Sequence, residues 1–410
     1  MNFIWGIIGI VGIVVIAIAL SNNRKAIQWR IILSGLVVQL IFAFIVLEWS
    51  WGRERLMDLS AGVQKLIGYA NEGIVFVFGG LADADNVGFV FAMSVLTIII
   101  FFSSLISVLY YLGIMQFIIK IIGGFLSFVL GTTKAESVNA AANIFVGQTE
   151  APLVIRPFLK KMTKSQMFAV MTGGLASVSG SVLIGYSLLG VPLEYLLAAS
   201  FMAAPAGLVM AKLMIPETEV IDEADFKLSR NSDATNVIDA AAVGASDGLR
   251  LAVNVGAMLL SFIALIALLN GLLGGVTGWV GNVTGWSVLD NVTLEGILGY
   301  VFAPLAFLIG VPWDEAVRAG SFIGQKLILN EFVAYSNFGP IIGEFSDKTA
   351  IIISFALCGF ANLSSMGILI GGIGGMVPEK RDMIAKLAIK AVIAGTLASL
   401  LSAAIAGMFV

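Results

Sequence analysis

Hydrophobic positions in this chain fall in long blocks separated by short polar interruptions. Stretches long enough to cross a bilayer core, about 17–25 residues each, lie near 3–20, 31–48, 89–118, 166–188, 195–215, 250–271, 350–371 and 387–409. The pattern predicts eight membrane-spanning helices. Two further stretches, 135–160 and 312–345, are semi-apolar and broken by Gly, Pro, Asn, Gln and Glu. With eight spans each begins and ends on one side of the membrane, so both are expected to be re-entrant. Backbone that leaves the helix at membrane depth survives only inside protein or along a wet cavity, which points these segments inward. The segments 52–80 and 119–133 read as amphipathic or interfacial helices.

The same polar pattern occurs twice. NIFVGQTEAPL, with Asn143, Gln148, Thr149 and Glu150, is followed by SVSGSVLIG from Ser177. LNEFVAY, with Asn330 and Glu331, is followed by GFANLSSMGILIGG with Asn362. Each half pairs a polar hairpin with a Gly/Ser-interrupted span. Entering from opposite faces, the halves have the inverted-repeat organisation of secondary transporters, whose sites form where broken helices meet near the midplane.

Composition narrows the class. Of 410 residues 59% are hydrophobic and 12% charged, and the mean hydropathy is +1.00, which leaves too little charge to cover a water-facing surface. The reading is an all-α polytopic membrane protein. A net charge of −3 without a clustered basic face gives no footprint for nucleic acid. One cysteine, Cys358, and no histidine exclude an internal disulfide, a Cys/His zinc site and a Ser-His-Asp triad within one chain. The first twenty residues lack a basic leader and read as a retained span.

Basic residues orient the chain. Arg24, Lys25 and Arg30 follow the first span, Lys120 follows the third, Lys160, Lys161 and Lys164 precede the fourth, and Lys380, Arg381 and Lys386 precede the eighth. Eight spans put all of them on one face, which the positive-inside rule makes cytoplasmic, with both termini outside. The loop near 216–249, with Glu217, Glu219, Asp222, Glu223 and Asp225, is acidic, and acidic residues count little in that rule.

A carboxylate at membrane depth is costly unless paired or hydrated, so Glu150 and Glu331 are functional candidates. Gln148, Thr149, Asn362, Ser364 and Ser365 concentrate donors and acceptors where hydrocarbon is expected. Such a lining suits a neutral, many-hydroxyl solute, whose lost water hydrogen bonds it can replace. Phe360 offers a ring face to a planar group. Asn143, the backbone near Val146, and Ser177 with Val178 offer the neutral oxygens that sodium prefers, although an Asn and a Ser in spans also make interhelical hydrogen bonds.

GQTEAPL, NEFVAY and FANLSSMGILIGG, in this order and spacing, closely resemble the concentrative nucleoside transporters, in particular their bacterial members. The likeness runs from SNNRKAI through FGGL at 78–81 to KAVIAGTLASL. It implies a homotrimer in a bacterial cytoplasmic membrane, each protomer with eight spans, two re-entrant hairpins, and a mobile transport part carried on a scaffold containing the third and sixth spans. The expected organisation is then N-terminal spans with a scaffold helix over 1–118, a first transport repeat over 119–215, an acidic cytoplasmic loop over 216–249, a scaffold span over 250–280 and a second repeat over 290–410.

The resemblance also implies roles for single residues. Gln148, Thr149 and Glu150 match positions that contact the base, with Phe360 beside it and Val182 shaping the pocket. Glu331, Asn362 and Ser365 match positions that hold ribose hydroxyls. Asn143 and Ser177 match sodium ligands, with Val146 and Val178 contributing carbonyls. Proton-coupled relatives lack this Asn arrangement, so a sodium-coupled nucleoside symporter working by alternating access is expected, with no organic cofactor. A proton-coupled symporter would differ only in the ion and could use Glu150 or Glu331 as carrier. A passive channel would need no alternating hairpins, and an intramembrane enzyme would need an activated nucleophile that these residues do not supply.

Overall fold

The computed structural model describes residues 2–82, 88–219, 234–284 and 292–410, and among them all regular structure is helical. Four long helices open the chain: α1 (Asn2–Ala19), α2 (Trp29–Glu48), α3 (Ser50–Phe78) and α4 (Ala92–Tyr111). The first repeat follows as α5 (Ile114–Leu130), α6 (Lys134–Ala142), the short α7 (Ala151–Val154) and α8 (Arg156–Leu159), α9 (Lys164–Ala176), α10 (Gly180–Ser187) and α11 (Leu193–Met214). Helix α12 (Val237–Thr284) leads to the second repeat: α13 (Leu294–Leu308), α14 (Trp313–Ile328), α15 (Glu331–Phe338), α16 (Asp347–Leu357), α17 (Ser365–Met376) and α18 (Arg381–Ala406).

Burial separates the helices into two kinds. Of their apolar windows, α1, α2, α4 and α12 bury only 22–33% inside the protomer, whereas α9 with α10, α11 and α18 bury 83–94%. The latter are hydrophobic all round because protein surrounds them; the former turn most of their apolar surface outward, as lipid-facing helices do. Asn2 Nδ2 donates to the Val410 carbonyl at 2.6 Å, so both termini lie at one end of the molecule. At the opposite end the first hairpin is tied to the turn before α18: Lys160 pairs with Glu379 at 2.6 Å and Lys380 donates to the Met162 carbonyl.

The repeats share one register. Thr163 caps α9 by accepting from Gln166 N–H at 3.1 Å, and Ser346 caps α16 by accepting from Thr349 N–H at 3.3 Å. The two caps are 346 − 163 = 183 positions apart, and so are the starts of the two helices they open, Lys164 and Asp347. Each of these helices then stops at a break before its continuation, α10 or α17. The span expected over 350–371 is thus the pair α16 and α17 with residues 358–364 unwound between them.

Several expectations shift. The block 89–118 is not one span: Gly113, at φ +79°, ends α4, and α5 starts at Ile114, ahead of the expected 119–133. The stretch expected over 52–80 is the 29-residue helix α3, Ser50–Phe78, which ends at Gly79. The connector expected over 216–249 is shorter, because α12 begins at Val237 rather than 250. Asn236 Oδ1 accepts from Asp239 N–H at 2.9 Å while the Asp239 carboxylate accepts from Thr235 N–H at 2.7 Å, a reciprocal cap that starts the helix early. Asp222, Glu223 and Asp225 lie outside the described residues.

Two local features hold the repeats closed. Helices α13 and α14 meet at a 115° bend, packed so closely that a Cβ on Gly320 would stand 2.6 Å from Ala303 N and 2.8 Å from Gly299 O. In the first repeat, buried Lys212 of α11 pairs with Glu136 of α6 and donates to Ser165 Oγ at 3.0 Å. Glu136 in turn accepts from Thr133 N–H at 3.1 Å and Thr133 Oγ–H at 2.7 Å, so the carboxylate is satisfied on both sides. Replacing Gly320 with Ala is expected to lower the thermal midpoint in detergent, at a cost of about 1–3 kcal/mol for overpacking against backbone. Gly271→Ala on α12, where a Cβ meets nothing within 4 Å, serves as the neutral comparison. Equal midpoints for the two variants would contradict the close approach.

Candidate functional site

The site grows out of four helix breaks. In the first hairpin the chain unwinds after Asn143, the C-cap of α6, and resumes helix only at Ala151. In the second it breaks at Leu329–Asn330 between α14 and α15. The other two breaks, Ser177–Ser179 and 358–364, interrupt the spans behind the hairpins. Backbone bonds knit them together: Gly180 N–H donates to Phe145 O at 2.9 Å, Leu363 N–H to Leu327 O at 3.0 Å, and Phe360 N–H to Ser177 O at 3.1 Å. The first two join each hairpin to its own broken span, and the third joins the two repeats.

A side-chain network spans this junction. Asn330 caps α15, its Oδ1 accepting from Val333 N–H at 2.9 Å, which sets Glu331 in the first turn at the positive end of the helix. The Glu331 carboxylate accepts from Tyr186 Oη–H at 3.1 Å and from Asn362 Nδ2 at 2.9 Å. Asn362 Oδ1 accepts from Ser365 N–H at 2.8 Å and Ser364 Oγ–H at 2.7 Å. Gln148 Nε2 lies 3.5 Å from Ser365 Oγ and completes the chain from one hairpin to the other. Glu331, Asn362, Ser365 and Gln148 are buried. Gln148 Oε1 and Asn330 Nδ2 are buried without a hydrogen-bond partner, so the junction holds both acceptor and donor capacity for a polar ligand.

The remaining expected residues lie around this network. Glu150 is exposed, accepts from Gly147 N–H at 3.2 Å, and faces a cavity of about 320 Å³ between the first hairpin, α4 and α12. Tyr110, Gln116, Ser179 and Asp247 share that cavity, a volume within the small-molecule range of about 300–1,000 Å³. Thr149 packs its methyl toward α17, where a Cβ on Gly372 would come within 2.6 Å of it. Val182 is buried on α10, and half-buried Phe360 is held at its break by Ser177. The first hairpin therefore divides its three polar neighbours, with Gln148 on the inter-hairpin network and Glu150 on the cavity.

The four residues expected to serve sodium come together at one corner. Asn143 Nδ2 donates to Asn139 O at 2.9 Å, leaving Asn143 Oδ1 buried and without a partner. That oxygen sits over the last turn of α9, 3.6 Å from where a Cβ on Gly174 would be. Ser177, the extended C-cap of the same helix, donates to Gly173 O at 3.1 Å. Val146 and Val178 flank the Gly180–Phe145 bond, both buried. An orphan amide oxygen beside unwound backbone fits a small hard cation.

Three residues escape a reading from sequence. Tyr186 is fully buried, with ring centroids 4.5 Å from Tyr335 and 4.7 Å from Phe332; its signal was its place four residues after Val182, on the same helix face. Lys326, buried in the second hairpin, was hidden in a segment read mainly for Glu331. Asp247 falls in the stretch 216–249 expected as a connector, and lies instead on α12.

Comparison with known proteins follows this geometry. Residues 8–81 and 195–407 match the N- and C-terminal models of the Na+ dependent nucleoside transporters, and residues 92–192 match a nucleoside-recognition model. The uncharacterized transporter YutK of Bacillus subtilis is 60% identical over 412 residues, covering 100% of both chains. The nucleoside permease NupC of Helicobacter pylori is 50% identical, covering 99% of this chain and 98% of that protein. Sodium/nucleoside cotransporter 2 of Rattus norvegicus is 38% identical over 98% of this chain and 62% of its own. The structure of CNTnw in an inward-facing substrate-bound state superposes with a TM-score of 0.93 at 52% identity, covering 100% of this chain and 98% of that one. A CNTnw variant in an outward-facing state gives 0.94 at the same identity and coverage. With its whole length covered at such identity, the chain belongs to the concentrative nucleoside transporter family and is a polytopic membrane protein that transports nucleosides.

Proposed function

We propose that this protein is a sodium-coupled symporter that imports nucleosides across a bacterial cytoplasmic membrane by alternating access. The observation that carries the reading is the buried network from Gln148 through Ser365 and Asn362 to Glu331, with the orphan Asn143 Oδ1 beside its first hairpin. Gln148, Thr149 and Glu150 serve the base, with Val182 and Phe360 shaping its apolar wall. Glu331, Asn362 and Ser365 take the ribose hydroxyls. Sodium sits among Asn143, Ser177 and the carbonyls of Val146 and Val178.

In this mechanism sodium preorganises the unwound loop so that Gln148 is held against Ser365 and the base finds its partners already placed. The Glu331 carboxylate keeps its bond from Tyr186 and turns its remaining acceptor capacity to the ribose hydroxyls, which a hydroxyl-free analogue cannot supply. One sodium ion per nucleoside gives roughly 2.3 kcal/mol per 100 mV and about 1.4 kcal/mol per tenfold gradient, enough for accumulation of several hundredfold.

Orientation rests on charge. The end carrying Arg24, Lys160, Lys164 and Lys380 lies opposite the termini, so the positive-inside rule makes it cytoplasmic and puts both termini outside. The cavity at Glu150 is lined by the ends of α4 and α12 nearest the connector, and so serves as the cytoplasmic vestibule between transport part and scaffold. The 48-residue α12 is ~70 Å long at 1.5 Å per residue, more than twice a hydrocarbon core. Its outward apolar surface, with that of α4, suits packing against other copies in a homotrimer.

In proteoliposomes, an inward sodium gradient is expected to drive uridine accumulation that a proton gradient alone does not, with the nucleoside recovered unaltered. Asn143→Ala should lose the sodium stimulation; full uptake in that variant would favour the proton-coupled reading. Tyr186→Phe removes one hydrogen bond to a buried carboxylate and is expected to raise KM for uridine about tenfold. An unchanged KM would remove Tyr186 from the site.

A further inference from the structure

Lys326 is a cation 1% exposed, in the hairpin opposite the proposed sodium site. The repeat register locates its counterpart. The 183-position offset that relates Thr163 to Ser346 and Gly180 to Leu363 takes Gly173 to Ala356 and Asn143 to Lys326, and the hairpin residues bonded to Gly180 and Leu363, Phe145 and Leu327, hold that register to within one position. In the first repeat, Ser177 Oγ donates to Gly173 O at the end of α9, and Asn143 Oδ1 stands over the next residue, Gly174, without a partner. In the second repeat, Lys326 Nζ donates to Ala356 O at 2.7 Å at the end of α16. Where one hairpin presents an oxygen awaiting a cation, the other presents an ammonium already engaged.

The surroundings of the ammonium are complete. Lys326 Nζ also donates to Ser399 Oγ at 3.1 Å, and Ser399 Oγ–H reaches Cys358 O at 3.4 Å and Gly395 O at 3.2 Å. Tyr335 Oη–H donates to Ser354 O at 2.7 Å. The last carbonyls of α16, the negative end of that helix, are thereby fixed by an ammonium and two hydroxyls. The next residue after Lys326 supplies the carbonyl that holds Leu363, the neighbour of Asn362. Each hairpin also carries one carboxylate at its turn, Glu150 or Glu331, so each gains a matching positive charge, from sodium in the first and from Lys326 in the second.

We propose that Lys326 is a resident cation that does for the second hairpin what sodium does for the first: it fixes the broken span so that Glu331 and Asn362 stand ready for the ribose without an ion. Lys326 is a positioning residue, acting through Ala356 and the Leu327–Leu363 bond. The second hairpin accordingly needs no sodium of its own. This rests on the sodium reading above, and the test separates the two.

The experiment measures uridine affinity by calorimetry at saturating sodium, and the sodium midpoint by thermal shift without nucleoside, in the purified full chain. Lys326→Met keeps the aliphatic stem and Lys326→Ala opens the space. Both are expected to weaken uridine binding about tenfold or more, the usual loss for a charge-assisted hydrogen bond, with the sodium midpoint unchanged. Ethylammonium chloride should restore uridine affinity in Lys326→Ala and not in Lys326→Met, where the thioether fills the site; general loss of packing would give no such rescue. The proposal is overturned if Lys326→Met binds uridine like the parent, if the sodium midpoint moves with the uridine affinity, if ethylammonium rescues nothing, or if Lys326→Met fails to fold. Asn143→Ala with an unchanged sodium midpoint would sink the sodium site instead, leaving the uridine and amine results to judge Lys326.

Discussion

A peptide group that leaves the helix inside a membrane must find a partner within the protein, and that requirement organises this structure. Four breaks are joined by backbone bonds, and each break answers another: Gly180 with Phe145, Leu363 with Leu327, Phe360 with Ser177. An unsatisfied group in hydrocarbon costs several kcal/mol. The breaks therefore cannot be scattered along the protomer; they must meet. Their meeting creates a region where buried polar side chains find partners, and the network from Gln148 to Tyr186 occupies it.

The surrounding helices are chosen by the same constraint. Small residues let backbones approach where the bends need support, as at Gly320 against α13 and at Gly359, whose missing Cβ would stand 2.7 Å from Ser399 Oγ and 3.0 Å from Ala176 O. Gly359 lies in the break that carries Phe360 and Asn362, so close packing with α18 and the polar junction are one arrangement. The outward helices, with less than a third or so of their apolar windows covered, leave the burial to α9, α11 and α18. Function and packing thus sit in the same inner shell.

Much of this was legible in the chain because membrane spans and their interruptions are large signals. The hydrophobic blocks gave the helices, and GQTEAPL and NEFVAY marked the hairpins, since carboxylates at depth have few innocent explanations. What stayed hidden depended on partners distant in sequence. Tyr186 reads as one aromatic among many until Glu331, remote in the chain, is placed against its hydroxyl. Lys326 looks like a hairpin charge until Ala356 and Ser399 enclose it. Gln148 and Glu150, two residues apart, point to different places because the loop between α6 and α7 is unwound, and no helical periodicity predicts directions there. The early start of α12 was readable in Asn236 and Asp239, a cap signal overshadowed by the acidic run before it.

Near-symmetry alone would give the two hairpins the same demand for a cation. The departure from symmetry separates them. At positions matched to within one residue, one repeat carries a neutral amide with a spare oxygen, the other a tethered ammonium. In the proposed mechanism the tethered charge cannot dissociate, and its hairpin is held without an ion. In the same reading the other borrows its charge from solution, and its loop, already unwound from Asn143 to Glu150, gains most from doing so. A ligand held by both hairpins then binds well only when the borrowed ion is present, because its affinity is reduced by whatever fraction of the protein lacks the competent loop. By linkage the ion is held more tightly when the ligand is bound, to the same factor. On this reading coupling needs no relay between distant sites: it follows from placing one conditional and one permanent cation behind two halves of a single pocket.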